Sequence, residues 1–168
     1  MPETRLSVRP AVPEDVPLIW SLINELAVYE KMADDVEGDE PALHRALFGD
    51  PVYARALVGE IDGVGSGFAL YFFNYSTFLG RPGLYLEDLF VRPDRRGQGL
   101  GKALLQHLAR EAVAKGCGRM EWVVLDWNQP AIDFYDRLGA RQQPEWELTR
   151  LDQKGIRDLA GLESEETG

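Results

Sequence analysis

Apolar and polar positions along the chain follow two different periods, and the switches between them mark out the elements. Residues 5–9 (Arg-Leu-Ser-Val-Arg) alternate one by one, as a short first strand does. Pro10 to Pro13 turns the chain. Pro13-Glu14-Asp15 then opens a helix whose stripe is Leu18, Ile19, Leu22, Ile23, Leu26 and Ala27, at the spacing of one helix face. The stripe runs out near Tyr29-Glu30, where an acidic loop begins with Glu30, Asp34, Asp35 and Glu37. A second helix is predicted with Asp39 as N-cap, Pro41 in its first turn, Leu43, Leu47 and Phe48 toward a core, and Gly49 as its stop. Strands over about 52–61 and 66–75 are joined by Asp62-Gly63-Val64-Gly65, a hairpin signal.

The centre of the pattern is residues 84–102. Leu84 to Val91 reads as a buried strand, Pro93-Asp94 stops it, and a basic, glycine-rich loop from Arg95 to Gly101 opens the strongest helical pattern in the chain. Small residues before a helix N-terminus let backbone N–H groups converge, which makes an anion cradle. Glu87 and Asp88 interrupt the strand just before it, and alternation along a strand would send them to opposite faces. Buried carboxylates are costly, so at least one is expected to serve the chemistry.

The helix from about Gly99 carries Leu100, Ala103, Leu104, Leu108 and Ala112 on one face and stops at Lys115-Gly116. Residues 119–126 read as a second buried strand, so strand, helix and strand form a right-handed parallel crossover with an opening at the strands' carboxyl ends. Asn128 then caps a helix that Gly139 ends. A final strand is expected over 145–151, paired back into the sheet, and an acidic, frayed tail over 161–168 with Glu163, Glu165 and Glu166.

Composition narrows the classes. The 168 residues read as a single domain over 1–160, with 45% hydrophobic and 27% charged positions and no run near the ~20 apolar residues of a membrane span. A net charge of −10 argues against nucleic acid and would instead concentrate cations, polyamines among them. The start has no signal-peptide core, and the single Cys117 suits a cytoplasmic protein with neither disulfide nor metal site. His44 and His107 read as partly exposed fillers of helical patterns, and the four tryptophans, Trp20, Trp122, Trp127 and Trp146, as core or interface aromatics.

Two motifs in order then carry a resemblance. Arg96-Gly97-Gln98-Gly99-Leu100-Gly101 follows the central strand, and Asn128-Gln129-Pro130-Ala131 with Phe134-Tyr135 and Gly139-Ala140 follows the next one. Both are similar to the signature of the GCN5-related N-acetyltransferase (GNAT) superfamily. Val8-Arg9-Pro10-Ala11, Glu25 to Glu30, Phe68 to Phe73, Tyr85 to Asp88 and Asp126-Trp127-Asn128 further resemble the diamine acetyltransferases, which include spermidine/spermine and thialysine N-acetyltransferases.

The resemblance implies an α/β GNAT fold: a mixed, mostly antiparallel sheet with a central parallel strand pair splayed around acetyl-CoA, flanked by about four helices. It implies acetyl-CoA as donor, a small polyamine- or diamine-like primary amine as acceptor, and a homodimer. Carried over position by position, Leu89, Phe90 and Val91 would hold the pantetheine and acetyl end. Arg96, Gly97, Gln98, Gly99, Leu100, Gly101 and Lys102 would cradle the pyrophosphate. Asn128, Pro130 and Ala131 would meet the cofactor arm, Glu87 the substrate amine, and Tyr29, Glu30 and Glu145 the acceptor. Tyr135 would be the proton donor. Apart from the resemblance, Asp88 reads as structural rather than catalytic, bonded to loop backbone.

The chemistry suits these assignments. A Lys-type amine has a pKa near ~10.4 and arrives protonated, so a carboxylate must take its proton, directly or through water. A strand bulge could turn backbone N–H groups toward the oxyanion, and a neutral phenol can protonate the leaving thiolate. Three alternatives stand beside this reading: a thialysine/lysine-like amino acid or aminoglycoside amine as acceptor, a dinucleotide-binding oxidoreductase, and a non-catalytic acyl-CoA-binding module. The second is weak, because the third glycine of a Gly-x-Gly-x-x-Gly turn is Lys102.

Overall fold

The computed structural model describes residues 3–162, so the acidic positions expected beyond Leu162, Glu163, Glu165 and Glu166, lie outside the described residues. The chain forms two compact units, Met1–Leu125 and Asp126–Gly168.

The first unit is built on a five-stranded sheet in the order β1-β2-β3-β4-β5: β1 (Leu6–Pro10), β2 (Arg55–Ile61), β3 (Val64–Ser76), β4 (Arg81–Val91) and β5 (Arg119–Glu121). The first four run antiparallel in turn, and β4 and β5 form a parallel pair. This is the mixed α/β sheet expected from the sequence. The parallel pairing stops at Tyr85↔Glu121 although β4 continues to Val91, so the two strands part toward the end of β4.

Three helices belong to this unit: α1 (Val16–Tyr29), α2 (Glu40–Phe48) and α3 (Leu100–Ala114). Alternation along the strands sorts the core into two layers. Ala56, Val58, Phe68 and Phe90 pack with Val16, Ile19 and Leu22 of α1 and Leu43 and Leu47 of α2. The intervening positions face α3, whose Leu100, Leu104, Leu105, Leu108 and Ala112 are buried. The seat is close: a Cβ on Gly59 would fall 2.9 Å from the Leu100 side chain.

Local signals explain the boundaries. Asp39 caps α2 by accepting from the Ala42 N–H at 2.8 Å, as predicted. Asp15, seen in the sequence only as an acidic first-turn residue, is buried and accepts two hydrogen bonds from Arg9, at 2.6 and 2.9 Å. Those bonds hold its carboxyl below the ordinary range.

Two strand expectations fail. Residues 119–126 were predicted as one buried strand, but only Arg119–Glu121 pair, and they are partly or fully exposed. Residues 145–151 form no strand among the described residues, so β5 is an edge. The segment alternates correctly, but a strand exists only with a partner, and here Trp146, Leu148 and Leu151 are exposed. Trp146 is therefore not a core aromatic. The second unit holds α4 (Gln129–Arg137) and α5 (Gln153–Leu159), the latter not foreseen. Five helices, against about four expected, are thus present among the described residues. None of them is long and apolar enough to cross a membrane.

Candidate active site

After β4 the chain makes a tight turn at Pro93–Arg95 and reaches α3 through Gly97 and Gly99, whose φ values are 81° and 91°. Glycine enters that left-handed region without the steric cost other residues meet. At Gly97 an added Cβ would meet nothing within 4 Å, so conformation, not space, requires glycine there. Gly99 is the N-cap of α3 and offers no capping side chain, whereas Asp39, Asn128 and Asp152 cap α2, α4 and α5. The Ala103 N–H reaches back to the Gly99 carbonyl at 3.0 Å. The N–H groups ahead of it have no partner one turn back and lie at the positive end of the helix dipole. An uncapped helix start behind two left-handed glycines fits a pyrophosphate.

Side chains divide the cradle's work. Leu100 is 1% exposed and belongs to the core, so only its backbone can serve an anion, and the same holds for buried Phe90 and Val91. Gln98 reaches the Arg95 carbonyl, and Lys102 is exposed beside Gly101. Arg96 folds back: its Nε donates to the Val91 carbonyl at 2.9 Å, and its guanidinium lies over the rings of Tyr29 and Phe90 at 4.7 and 5.5 Å. Tyr29, expected at the acceptor, and Arg96, expected at the cofactor, are therefore neighbours.

The carboxylates sit at a register break. Leu70 pairs with Asp88 and Tyr71 with Leu86, which leaves Glu87 as the extra residue of a β-bulge. Glu87 is exposed. Asp88 falls on the same sheet face as Leu70 and Phe90, the α1 face, and is half-buried. Burial, with repulsion from Glu87 and Glu30, pushes its carboxyl up to about 7. Burial also raises Glu30. The hydrogen bond to loop backbone expected of Asp88 is not made among the described residues.

In the second unit Asn128 caps α4, its Oδ1 accepting from the Ala131 N–H at 3.4 Å, with Pro130 in the first turn. Tyr135 stands two turns beyond Asn128 at ~3.6 residues per turn and packs on Phe134, with ring centroids 5.5 Å apart. Its carbonyl accepts from Leu138 and Ala140 as Gly139 turns the chain out at φ 93°. Glu145 lies in an exposed turn.

The family model described as Acetyltransferase (GNAT) family matches residues 20–140. Thialysine N-epsilon-acetyltransferase of Sus scrofa is 41% identical over 165 residues, covering 92% of this chain and 96% of that protein. L-ornithine N5-acetyltransferase NATA1 of Arabidopsis thaliana is 34% identical, covering 86% and 83%. Among solved structures, an integron cassette protein from the mobile metagenome of V. cholerae superposes with a TM-score of 0.76 at 27% identity, covering 92% of this chain and 97% of that one. The chain belongs to the GNAT acetyltransferase family.

Proposed function

We propose that the protein transfers the acetyl group of acetyl-CoA to the terminal primary amine of a small diamino compound, by direct attack in a ternary complex. The observation that carries this reading is the bulge at Glu87. It puts Glu87 and a high-pKa Asp88, in the field of Glu30, on the strand that feeds an uncapped, glycine-lined helix start. The cradle supplies the pyrophosphate site, Lys102 adds charge, and Leu89 and Val91 offer backbone to the pantetheine arm. Asn128, Pro130 and Ala131 serve the cofactor arm from the start of α4.

A terminal ammonium is drawn to Glu30, Glu87 and Asp88, whose mutual repulsion it relieves. Glu87, exposed on the bulge, meets the ammonium. Asp88, near 7, is matched to accept a proton at neutral pH, directly or through water. The neutral amine attacks the thioester carbonyl, and N–H groups released from the ladder by the bulge stabilise the oxyanion. Collapse expels the CoA thiolate, which Tyr135 protonates, and the second proton on the nitrogen passes to the resulting phenolate, leaving the neutral amide.

Thialysine- and ornithine-type amino acids are the first acceptors, on the near full-length likeness to enzymes named for them. Polyamines are the second reading, favoured by the carboxylates, which suit an acceptor without a carboxylate of its own. Steady-state kcat/KM for thialysine, ornithine, putrescine and spermidine ranks them. CoA release with none of the four, from protein that binds acetyl-CoA, overturns the proposal. Within the ranking, Glu30→Gln is expected to raise KM for the diamines more than for a monoamine. Equal effects on both would remove Glu30 from the acceptor site.

A further inference from the structure

The second half of α3 borders a cavity of about 510 Å³ that the acetyl-transfer reading does not use. It lies in the first unit, between α3, the end of α2 and the starts of β2 and the loop after β1. Gly99, at the cradle, and Arg110, at the cavity, are eleven residues apart on one helix, about 16 Å at 1.5 Å per residue. The two places are therefore distinct.

Two kinds of surface meet in the cavity. Leu47 and Phe48 from α2, with Ala11 and Ala56, form an apolar wall. The rest of the lining is polar: Arg55, Tyr71, His107, Arg110 and Glu111, with Pro10 beside them. His107, Arg110 and Glu111 share one side of α3, being three and four residues apart. Glu111 is already committed: its Oε2 accepts from the Tyr71 hydroxyl at 2.5 Å, and its Oε1 lies 3.8 Å from Arg55 Nη1. Burial and Glu111 push the Tyr71 phenol up, so that hydroxyl remains a donor across the working pH range. Arg55 is steadied over the Phe73 ring at 5.6 Å. Arg110 has no ion pair or hydrogen bond among the described residues, and His107 Nδ1 is buried without a hydrogen-bond partner among them. His107 is partly exposed, as its sequence position suggested, but its Nδ1 is turned inward.

The charges select the ligand. Arg55 and Arg110 against Glu111 leave one net positive charge in a chain whose total is −10. A single carboxylate balances that charge. A dianion would face the fixed Glu111 carboxylate, and an amine would face two guanidinium groups. The volume far exceeds a carboxylate alone and falls in the ~300–1,000 Å³ range of small-molecule sites, and the apolar wall needs a hydrophobic body. We propose that this cavity binds a small organic monocarboxylate with an aromatic or branched apolar body, its carboxylate on Arg110 and Arg55 and its body against Leu47 and Phe48.

The test uses the full chain with benzoate, phenylacetate and 3-phenylpropionate as probes, and with benzylamine and phenyl phosphate as charge controls. Calorimetry and saturation-transfer NMR read binding, with and without saturating CoA. At least one carboxylate is expected to bind with Kd of about 1 mM or tighter, consistent with a ligand of this size. Binding should persist in the presence of CoA and exceed that of both controls. Arg110→Gln, a change at an exposed side chain, should weaken it about tenfold, the worth of one charge-assisted hydrogen bond, with an unchanged circular dichroism spectrum. Leu47→Gln probes the wall but would disturb the core, so Phe48→Leu, which replaces the partly buried ring, serves as the second variant and should weaken phenylacetate more than acetate, added as a probe with no apolar body. Absence of carboxylate binding, competition by CoA, equal binding of phenyl phosphate, or an Arg110→Gln variant that binds like wild type would each overturn the proposal.

Discussion

The guanidinium of Arg96 lies 4.7 Å from the ring centroid of Tyr29, so an arginine of the glycine loop is clamped to the last residue of α1. Phe90 backs the same guanidinium at 5.5 Å, and the Val91 carbonyl takes its Nε proton. Loop, helix end and strand end are tied through one planar cation. The clamp should therefore set the loop's geometry before any anion arrives, and Tyr29 should affect a ligand held by the loop. Arg96→Lys keeps the charge but loses both the planar stack and the directed Nε bond. CoA affinity is expected to fall about tenfold on losing a charge-assisted bond and stack, with little change in Tm. In calorimetric CoA titrations Arg96→Lys and Tyr29→Leu should be non-additive, with a coupling energy of about 0.5–2 kcal/mol. Additive effects would mean the stack does not organise the cradle.

The glycines of the loop make a second prediction, one with a different cause from crowding. A Cβ at Gly99 would meet only Leu6 Cδ1, at an ordinary 3.6 Å, so space in the protein is not limiting. Its φ of 91° is. Gly99→Val forces a β-branched residue into the left-handed region and should swing the N–H groups at the start of α3 out of line. CoA binding is expected to drop by at least tenfold, about 1.4 kcal/mol, while far-ultraviolet circular dichroism stays that of wild type. Retained CoA affinity would show that this helix start does not hold the pyrophosphate.

What the sequence made legible follows from how far each signal reaches. The α1 and α3 stripes, the Asp39 and Asn128 caps and the glycine loop are local patterns, and each stands where the residues placed it. The bulge at Glu87 is not local, because it exists only in register with Leu70 and Tyr71 of β3. The environment of Asp88 is likewise long-range, since it lies on the sheet face that α1 covers. The strand expected at residues 145–151 failed in the opposite way, with a correct alternation that no neighbouring strand completes. The cavity beside Arg110 was invisible, since it is assembled from the end of β1, from β2 and β3, and from two helices.

Asp88 gives a prediction in pH. Its carboxyl is raised to about 7 by burial first, then by Glu87 and Glu30. Between its ordinary value near ~3.9 and 7 the folded chain holds more protons than the unfolded one, so this group's contribution makes stability fall as pH rises through that window. Asp88→Asn should therefore raise Tm at pH 8 more than at pH 5. Activity should move the other way. If ionised Asp88 accepts the amine proton, kcat/KM climbs as pH passes about 7, and that limb disappears in Asp88→Asn with a low residual rate. A variant with the wild-type ascending limb would assign the proton to another group, with Glu87 the first to examine.

Tyr135 carries the last step of the proposed reaction and is the most exposed to a single substitution. The thiolate that leaves the tetrahedral intermediate is a poor product until it is protonated, and a neutral phenol of pKa near ~10 can give that proton. Tyr135→Phe removes the hydroxyl alone. The ring keeps its place beside Phe134, and the backbone bonds that close α4, from Leu138 and Ala140 to the Tyr135 carbonyl, do not involve the side chain. Tm and CoA affinity should barely move. Removing a general acid typically costs ~10²–10⁴-fold in rate, and water can replace part of it, so kcat should fall into that range without reaching zero. A structural role would lower Tm together with kcat. A catalytic role lowers kcat alone, and lowers it least for a thioester whose thiol is more acidic, because that leaving group needs the proton less. Measured under single-turnover conditions, a kcat within a few-fold of wild type, or an equal loss with acidic and ordinary thioesters, would take Tyr135 out of the mechanism.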